Sequence, residues 1–149
     1  MTYTLERRQA FPRPLDEVFA FFSDPANLAA ITPPWLRFWI VGMSGGAMQR
    51  GLRIEYRISP PGIPQKWVSE ITTWDPPHRF IDEQVQGPYR FWRHEHPFER
   101  CPSGTVVHDT VHYALPFGPL GRIVHGLFVR RRLRAIFDHR HEQLERLLA

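Results

Sequence analysis

The C-terminal stretch of the chain carries a helical pattern of apolar positions. No proline interrupts it from Leu120 to Leu148. At about 100° per residue, six of its apolar side chains fall on one side of a helix. They are Ile123, Leu127, Leu133, Phe137, Leu144 and Leu148. We predict one long amphipathic helix, which needs a broad apolar surface to lie on.

The rest of the chain has mostly the patterns of strands. Residues 3–11 predict a first strand, 15–22 a short helix and 27–31 a second short helical turn. Turns such as Pro60-Pro61-Gly62 separate the segments that follow. Six of these segments are apolar or alternate between apolar and polar residues. The predicted strands are 36–43, 52–58, 67–73, 80–85, 89–99 and 105–115.

This order of elements predicts an α+β fold. Six successive strands joined mostly by short turns make an antiparallel meander. We expect the first strand to join the far edge of that meander. A twisted sheet of about seven strands curls around whatever covers it, which here is the C-terminal helix.

Composition limits the protein to one domain over residues 1–149. The 149 residues are 42% hydrophobic, which is enough for a single core. The sequence has no apolar run long enough to cross a bilayer and no signal-peptide pattern. Cys101 is the single cysteine, so an internal disulfide is excluded. These features predict a cytoplasmic protein.

Arginine dominates the positive charge. The formal net charge is +4, and Lys66 is the only lysine. The densest basic run is Arg130, Arg131, Arg132 and Arg134. This run is typical of a solvated helix face, and it also suits contact with RNA, an anionic lipid or an acidic partner. We do not expect nucleic-acid binding, since the chain has no recognised nucleic-acid motif.

Several short segments together resemble one superfamily. They are residues 14–28, Trp74-Asp75-Pro76-Pro77, residues 92–96, Gly104-Thr105 and residues 115–121. Their order resembles the SRPBCC superfamily, which includes START-type lipid-binding domains, polyketide cyclases and the birch-pollen allergen family. The resemblance covers nearly the whole chain. It implies a helix-grip fold with a cavity between the sheet and the long helix, but no single activity.

Polar side chains fall on strand faces that otherwise look buried. On the strand 89–99, Trp92, His94, His96 and Phe98 share a face, and on 105–115 Val107, Asp109, Val111 and Tyr113 do. A turn centred on 102–103 sets His96 opposite Asp109 and His94 opposite Val111. The neighbouring strand adds Phe80, Asp82 and Gln84.

Three interpretations of these polar residues remain open. In the first, His96 and Asp109 satisfy each other in an apolar interior. In the second, the same groups orient a mostly apolar ligand in a pocket. In the third, His96 is a general base oriented by Asp109, or His94, His96 and Asp109 hold a metal.

We predict that the chain binds a small hydrophobic molecule between the sheet and the helix, with no cofactor and no bound metal. The alternatives are a cyclase- or dehydratase-like enzyme using His96 and Asp109, and an interaction protein using its arginine-rich helix. The predicted ligand-binding residues lie on four strands and on the helix. They are Trp67, Phe80, Asp82, Gln84, Trp92, His94, His96, Phe98, Asp109, Val111, Tyr113, Ile123, Leu127 and Phe128.

Overall fold

The computed structural model describes residues 1–59 and 64–149. Within these ranges, seven strands form one antiparallel sheet in the order β1-β7-β6-β5-β4-β3-β2. The predicted meander is therefore confirmed, and so is the place of the first strand beside the last. The bounds are β1 Tyr3–Phe11, β2 Trp39–Met43, β3 Arg53–Ile58, β4 Gln65–Asp75, β5 Arg79–Gln86, β6 Phe91–Cys101 and β7 Gly104–Ala114.

The connection from β1 to β2 is less regular than predicted. Helix α1 spans Leu15–Phe22 as expected, but the second helical turn is two 3₁₀ turns, Pro25–Asn27 and Ala29–Ile31. A third 3₁₀ turn, Pro34–Leu36, replaces the predicted start of β2. Arg37 follows it with a φ of 51°, so the chain turns there before the strand begins. The predicted turn at 60–62 lies outside the described residues.

The register between β6 and β7 agrees with the sequence prediction. Phe98 pairs with Val107, His94 with Val111 and Trp92 with Tyr113. Pro97 has no N–H to donate, yet the register is the same on both sides of it. On the other side of β6, Phe80 pairs with His96 and Asp82 with His94. Both histidines therefore lie between the two strands that carry the aspartates.

The C-terminal helix runs from Gly118 to Leu147 in three continuous parts. Helix α2 spans Gly118–Val124, a π-helical segment spans His125–Val129, and α3 spans Arg130–Leu147. A π-helical turn holds about one residue more than an α-helical turn. Side chains before the π-helical segment are therefore rotated about the helix axis by about 100° from the positions they would have in a continuous α-helix.

This rotation corrects the predicted apolar stripe. Leu133, Phe137, Leu144 and Leu148 are buried as expected. Ile123 and Leu127 are each 58% exposed, because the π-helical segment turns them away from the sheet. Gly121 and His125 are buried in their place.

The core consists of two clusters along the helix. The first packs Phe11, Phe19, Phe80, Phe98 and Leu144 with their neighbours, beneath α1 and the end of α3. The second packs Trp67, Trp92, Tyr113, Leu133 and Phe137. No helix in the described part of the chain is long and apolar enough to span a membrane.

Candidate functional site

A cavity of about 840 Å³ separates the sheet from the C-terminal helix. The sheet side is formed by inward-facing residues of β3, β4, β5 and β6, and the opposite side by α2, the π-helical segment and α3. Most of the wall is apolar. Its aromatic part comprises Phe21, Phe22, Phe38, Tyr56, Trp67, Phe80, Tyr89, Trp92, Phe117, Phe128 and Phe137.

A polar cluster lies at the sheet side of this cavity. His94 Nε2 lies 2.8 Å from Asp109 Oδ1, and His96 Nε2 lies 2.8 Å from Asp82 Oδ2. Arg140 reaches Asp109 Oδ1 from α3 with its Nη2 atom, at 3.3 Å. His96 Nδ1 is 3.4 Å from the same oxygen. The cluster therefore joins three strands to the helix.

The ring of His96 is packed between two other rings. Its centroid lies 4.1 Å from that of Phe80, on which it stacks, and 3.7 Å from that of His94. Arg140 is packed in a similar way, with its guanidinium 5.5 Å from the ring centre of Phe22 and 5.8 Å from that of Phe137. These contacts fix the positions of the charged groups in an apolar surrounding.

The two carboxylates of the cluster are ionised at neutral pH. Burial alone would raise the pKa of Asp109, but the charge of Arg140 and hydrogen bonds from both histidines bring it well below the usual range. Burial likewise opposes ionisation of Asp82, but its bond to His96 and the nearby positive charges outweigh burial and lower its pKa. A carboxylate only accepts hydrogen bonds, so the histidine Nε2 atoms must be the donors.

The two histidines are shifted in opposite directions. Burial lowers the pKa of His94, and the neighbouring charge of His96 lowers it further, so its bond to Asp109 does not restore it. Burial also acts against a charge on His96, but the two carboxylates outweigh it and raise the pKa. The raised pKa favours the protonated form of His96 beside the two carboxylates, and the lowered pKa favours the neutral form of His94.

The histidine–aspartate pairing differs from the one predicted. His96 was expected to pair with Asp109 across the strands, but its shortest polar contact is with Asp82. Asp109 instead accepts its shortest hydrogen bond from His94, which lies diagonally across the ladder. The register prediction was right, and the direction of the side chains along the strands decides the partner.

The other predicted residues divide between cavity and core. Trp67, Phe80, Asp82, Trp92, His94, His96 and Phe128 line the cavity. The remaining predicted residues do not line it. Gln84 forms hydrogen bonds with the backbone of Tyr89. Three residues are buried in the core: Phe98, Val111 and Tyr113. Asp109 lies behind the histidines, and Ile123 and Leu127 face outward.

Sequence reasoning missed several polar residues of the cavity wall, among them Arg140, Tyr56, Ser69 and Tyr89. Arg140 lies three residues after Phe137 and four before Leu144, so helical spacing alone puts it on the buried face. Tyr56 alternates with Ile54 and Ile58 on β3. Its hydroxyl lies 3.2 Å from Ser69 Oγ, which also accepts a 2.9 Å hydrogen bond from Trp67 Nε1. Tyr89 lies just before β6.

Three residues of the polar cluster also have side chains that can bind a metal ion. Asp82, His94 and His96 each offer one ligand atom, and these atoms lie within 4.8 Å of one another. Two imidazoles and a carboxylate suit zinc or iron. A metal ion bound through the two Nε2 atoms would displace their hydrogen bonds to Asp109 and Asp82.

The comparison with protein families matches residues 2–149 to the family described as polyketide cyclase / dehydrase and lipid transport. The chain belongs to this family. The comparison with curated proteins found no match.

Solved structures show the same fold as this family member at low sequence identity. A protein from Chromobacterium violaceum, CV1439, is 13% identical with a TM-score of 0.71, over 97% of this chain and 96% of that one. The protein TTHA0849 from Thermus thermophilus is 18% identical with a TM-score of 0.66, over the whole of both chains. Ara h 8.0201 is 16% identical with a TM-score of 0.65, over 95% of this chain and 97% of that one. The predicted α+β helix-grip fold is thereby confirmed.

Proposed function

We propose that this protein binds a small hydrophobic molecule in the cavity between its sheet and its C-terminal helix. The observation that carries the proposal is an apolar cavity of about 840 Å³ with one polar cluster in its wall. Sites for small molecules usually have volumes of about 300–1,000 Å³ and a few convergent polar groups. The family description, which includes lipid transport, agrees with such a ligand.

The polar cluster limits the chemistry of the ligand. Asp82 and Asp109 already have partners in His96, His94 and Arg140 within the cluster, so they do not require a cation from the ligand. The Nε2–H group of His94 donates a hydrogen bond to Asp109, so Nδ1 is the hydrogen-bond acceptor of the ring. The hydroxyl of Tyr56 and Oγ of Ser69 are further polar groups in the wall. An apolar body carrying one or two hydroxyl or carbonyl groups fits this distribution.

A cavity-filling variant tests the proposal with the neutral fluorescent probe N-phenyl-1-naphthylamine. Ile136→Phe adds volume at a residue that lines the cavity. Ile123→Phe is the matched control, since Ile123 is exposed on the same helix. We expect saturable binding by the wild type, a loss of roughly tenfold in affinity for Ile136→Phe and no change for the control. Absence of saturable binding, or equal losses in both variants, would contradict the proposal.

A second candidate function is enzymatic, and the geometry and lowered pKa of His94 favour it. His94 lines the cavity and its Nε2 is bonded to Asp109, which orients the ring. Its lowered pKa favours the neutral form, so it suits a general base. His94 could remove a proton beside the carbonyl group of a bound ketone, as a cyclase or dehydratase requires.

The enzymatic function is tested with 2-tetralone, a small apolar ketone that enolises. Proton NMR in deuterated buffer measures exchange at the carbon beside the carbonyl. We expect exchange above the buffer rate with the wild type and a loss of roughly a hundredfold with His94→Gln. The matched control is His108→Gln, since His108 precedes Asp109 on β7 and so lies on the opposite face of the sheet. Exchange at the buffer rate, or equal rates in the wild type and His94→Gln, would remove this candidate.

A further inference from the structure

The first part of the C-terminal helix exposes an apolar surface that a globular protein normally buries. Leu120, Ile123, Val124, Leu127 and Phe128 follow the spacing of an amphipathic helix, i, i+3, i+4, i+7 and i+8. Four of them are 57–60% exposed and Val124 is 39% exposed. Phe117, just before the helix, is 79% exposed. We call these six residues the docking patch.

The helix around the docking patch is basic and lacks acidic residues. Residues 118–137 contain five arginines and no aspartate or glutamate. They are Arg122, Arg130, Arg131, Arg132 and Arg134. Among residues 1–59 and 64–149, none of these five forms a salt bridge, whereas Arg7, Arg13, Arg53 and Arg57 do. Arg132 lies over the ring of Trp35 at 5.7 Å, and Trp35 is itself 45% exposed.

Part of the docking patch also belongs to the cavity wall. Phe117, Leu120 and Phe128 line the cavity and are each more than half exposed. Arg132 also belongs to the cavity wall. A surface that covers the docking patch would therefore also cover this side of the cavity.

We propose that the docking patch and its arginines bind the surface of a bilayer that contains anionic lipids. An interfacial helix buries its apolar face among the acyl chains and pairs its basic residues with the headgroups. A second copy of this chain would bury the patch but bring arginines against arginines. RNA would pair with the arginines but leave Leu127 and Ile123 in water. The anionic bilayer matches both the charge and the apolar side chains.

Vesicle flotation tests this surface without any cavity ligand, so its result is independent of the proposed function. The vesicles contain phosphatidylcholine alone or an equal mixture with phosphatidylglycerol. We expect binding to the mixed vesicles that weakens with salt. The double variants Ile123→Glu/Leu127→Glu and Arg131→Gln/Arg134→Gln should each reduce binding at least roughly tenfold. Arg146→Gln, also exposed on α3 but far from the patch, and Val85→Glu on β5 should bind like the wild type.

Each result supports the docking surface or overturns it. No binding to mixed vesicles, or equal loss in the Arg146→Gln and Val85→Glu controls, overturns it. Binding that survives Ile123→Glu/Leu127→Glu also overturns it, because the apolar side chains would then take no part. A short RNA that binds the protein more tightly than the mixed vesicles do would assign the arginines to RNA instead. A stable dimer that Leu127→Glu dissociates would assign the patch to a second copy.

Discussion

The two ends of the C-terminal helix make opposite use of their apolar residues. In α3, Leu133, Phe137 and Leu144 pack into the core. The edge strand β1 also contacts α3: Arg7 forms a 2.6 Å salt bridge with Asp138, and Gln9 donates a 2.9 Å hydrogen bond to the carbonyl of His141. In α2 and the π-helical segment, comparable side chains such as Ile123 and Leu127 are exposed. The same type of sequence therefore stabilises the fold at one end and leaves a free surface at the other.

This difference separates residues that hold the fold together from residues available for binding. Substitutions of buried residues in α3, and of the buried Asp109 that binds Arg140, should change stability strongly. Substitutions in the docking patch should leave stability nearly unchanged and affect only binding. The difference can therefore be tested with pairs of variants. One variant changes a residue of the packed end, and the other changes a chemically similar residue that is exposed.

The largest expected effect comes from the charged contact of α3. Asp109→Asn leaves Arg140 and His96 without their shared carboxylate. Breaking a buried ion pair costs about 3–5 kcal/mol of unfolding free energy. Asp138→Asn breaks the exposed pair with Arg7, where about 0–1 kcal/mol is usual. Urea denaturation measures both, and losses of the same size would contradict the assigned difference.

Leucine truncation compares the two ends directly. Leu144 is 1% exposed, and Leu144→Ala removes apolar contacts and leaves a cavity, which costs roughly 3 kcal/mol. Leu127 is 58% exposed, and Leu127→Ala should change stability by less than about 0.5 kcal/mol. Thermal and urea unfolding test this pair. A large loss in Leu127→Ala would mean that the docking patch is packed within the protein.

Much of the fold was predictable from the sequence. The alternation along a strand determines the sheet face of each side chain, and a short turn determines the register of the two strands that it joins. The faces of His94, His96 and Asp109 followed from that register. The diagonal pairing of His94 with Asp109 did not follow from the register. Several possible partners lie at similar distances, and the directions of the side chains decide which of them bind. The helical spacing in the sequence puts Arg140 on the buried face of α3. A charged side chain on that face needs a buried carboxylate as its partner, and this partner is Asp109.

The change at the π-helical segment was not predictable from the periodic pattern. A constant period puts Ile123 on the same side as Phe137, and nothing in residues 125–129 marks an added residue per turn. The partners of His125 lie on two strands of the sheet. They are Tyr113 on β7, whose Oη lies 2.7 Å from His125 Nε2, and Tyr3 on β1, whose ring stacks at 3.5 Å. Tertiary contacts therefore accompany the rotation that exposes the docking patch.

A smaller effect should come from the anchor of the π-helical segment. His125→Phe keeps an aromatic ring beside Tyr3 but leaves the buried Tyr113 hydroxyl without its partner. An unpaired buried group of this kind costs about 1–3 kcal/mol. The control His139→Phe changes a partly exposed histidine of α3 and should cost less than about 0.5 kcal/mol. Equal unfolding free energies for His125→Phe and the wild type would show that this bond does not hold the segment.

The smallest expected effect is a difference in pH dependence between the two histidines of the cluster. The pKa of His96 in the folded protein is above 6.5, so its contribution to stability is fully present below that pH. This contribution is lost as the pH rises through the folded pKa. The pKa of His94 is below 6.5, so its contribution is present above that pH and is lost as the pH falls toward the folded value.

Urea unfolding across a pH series distinguishes these signs, with His94→Gln and His96→Gln compared with the wild type. The loss caused by His96→Gln should shrink as the pH rises, because the wild type itself loses that stabilisation. The loss caused by His94→Gln should shrink as the pH falls. The series stays above about pH 5.5, where carboxyl groups of ordinary pKa are largely ionised. Two losses with the same slope would mean that the pKa values of the two histidines are not shifted in opposite directions. The lowered pKa that suits His94 to the role of general base would then be lost as support for the enzymatic candidate.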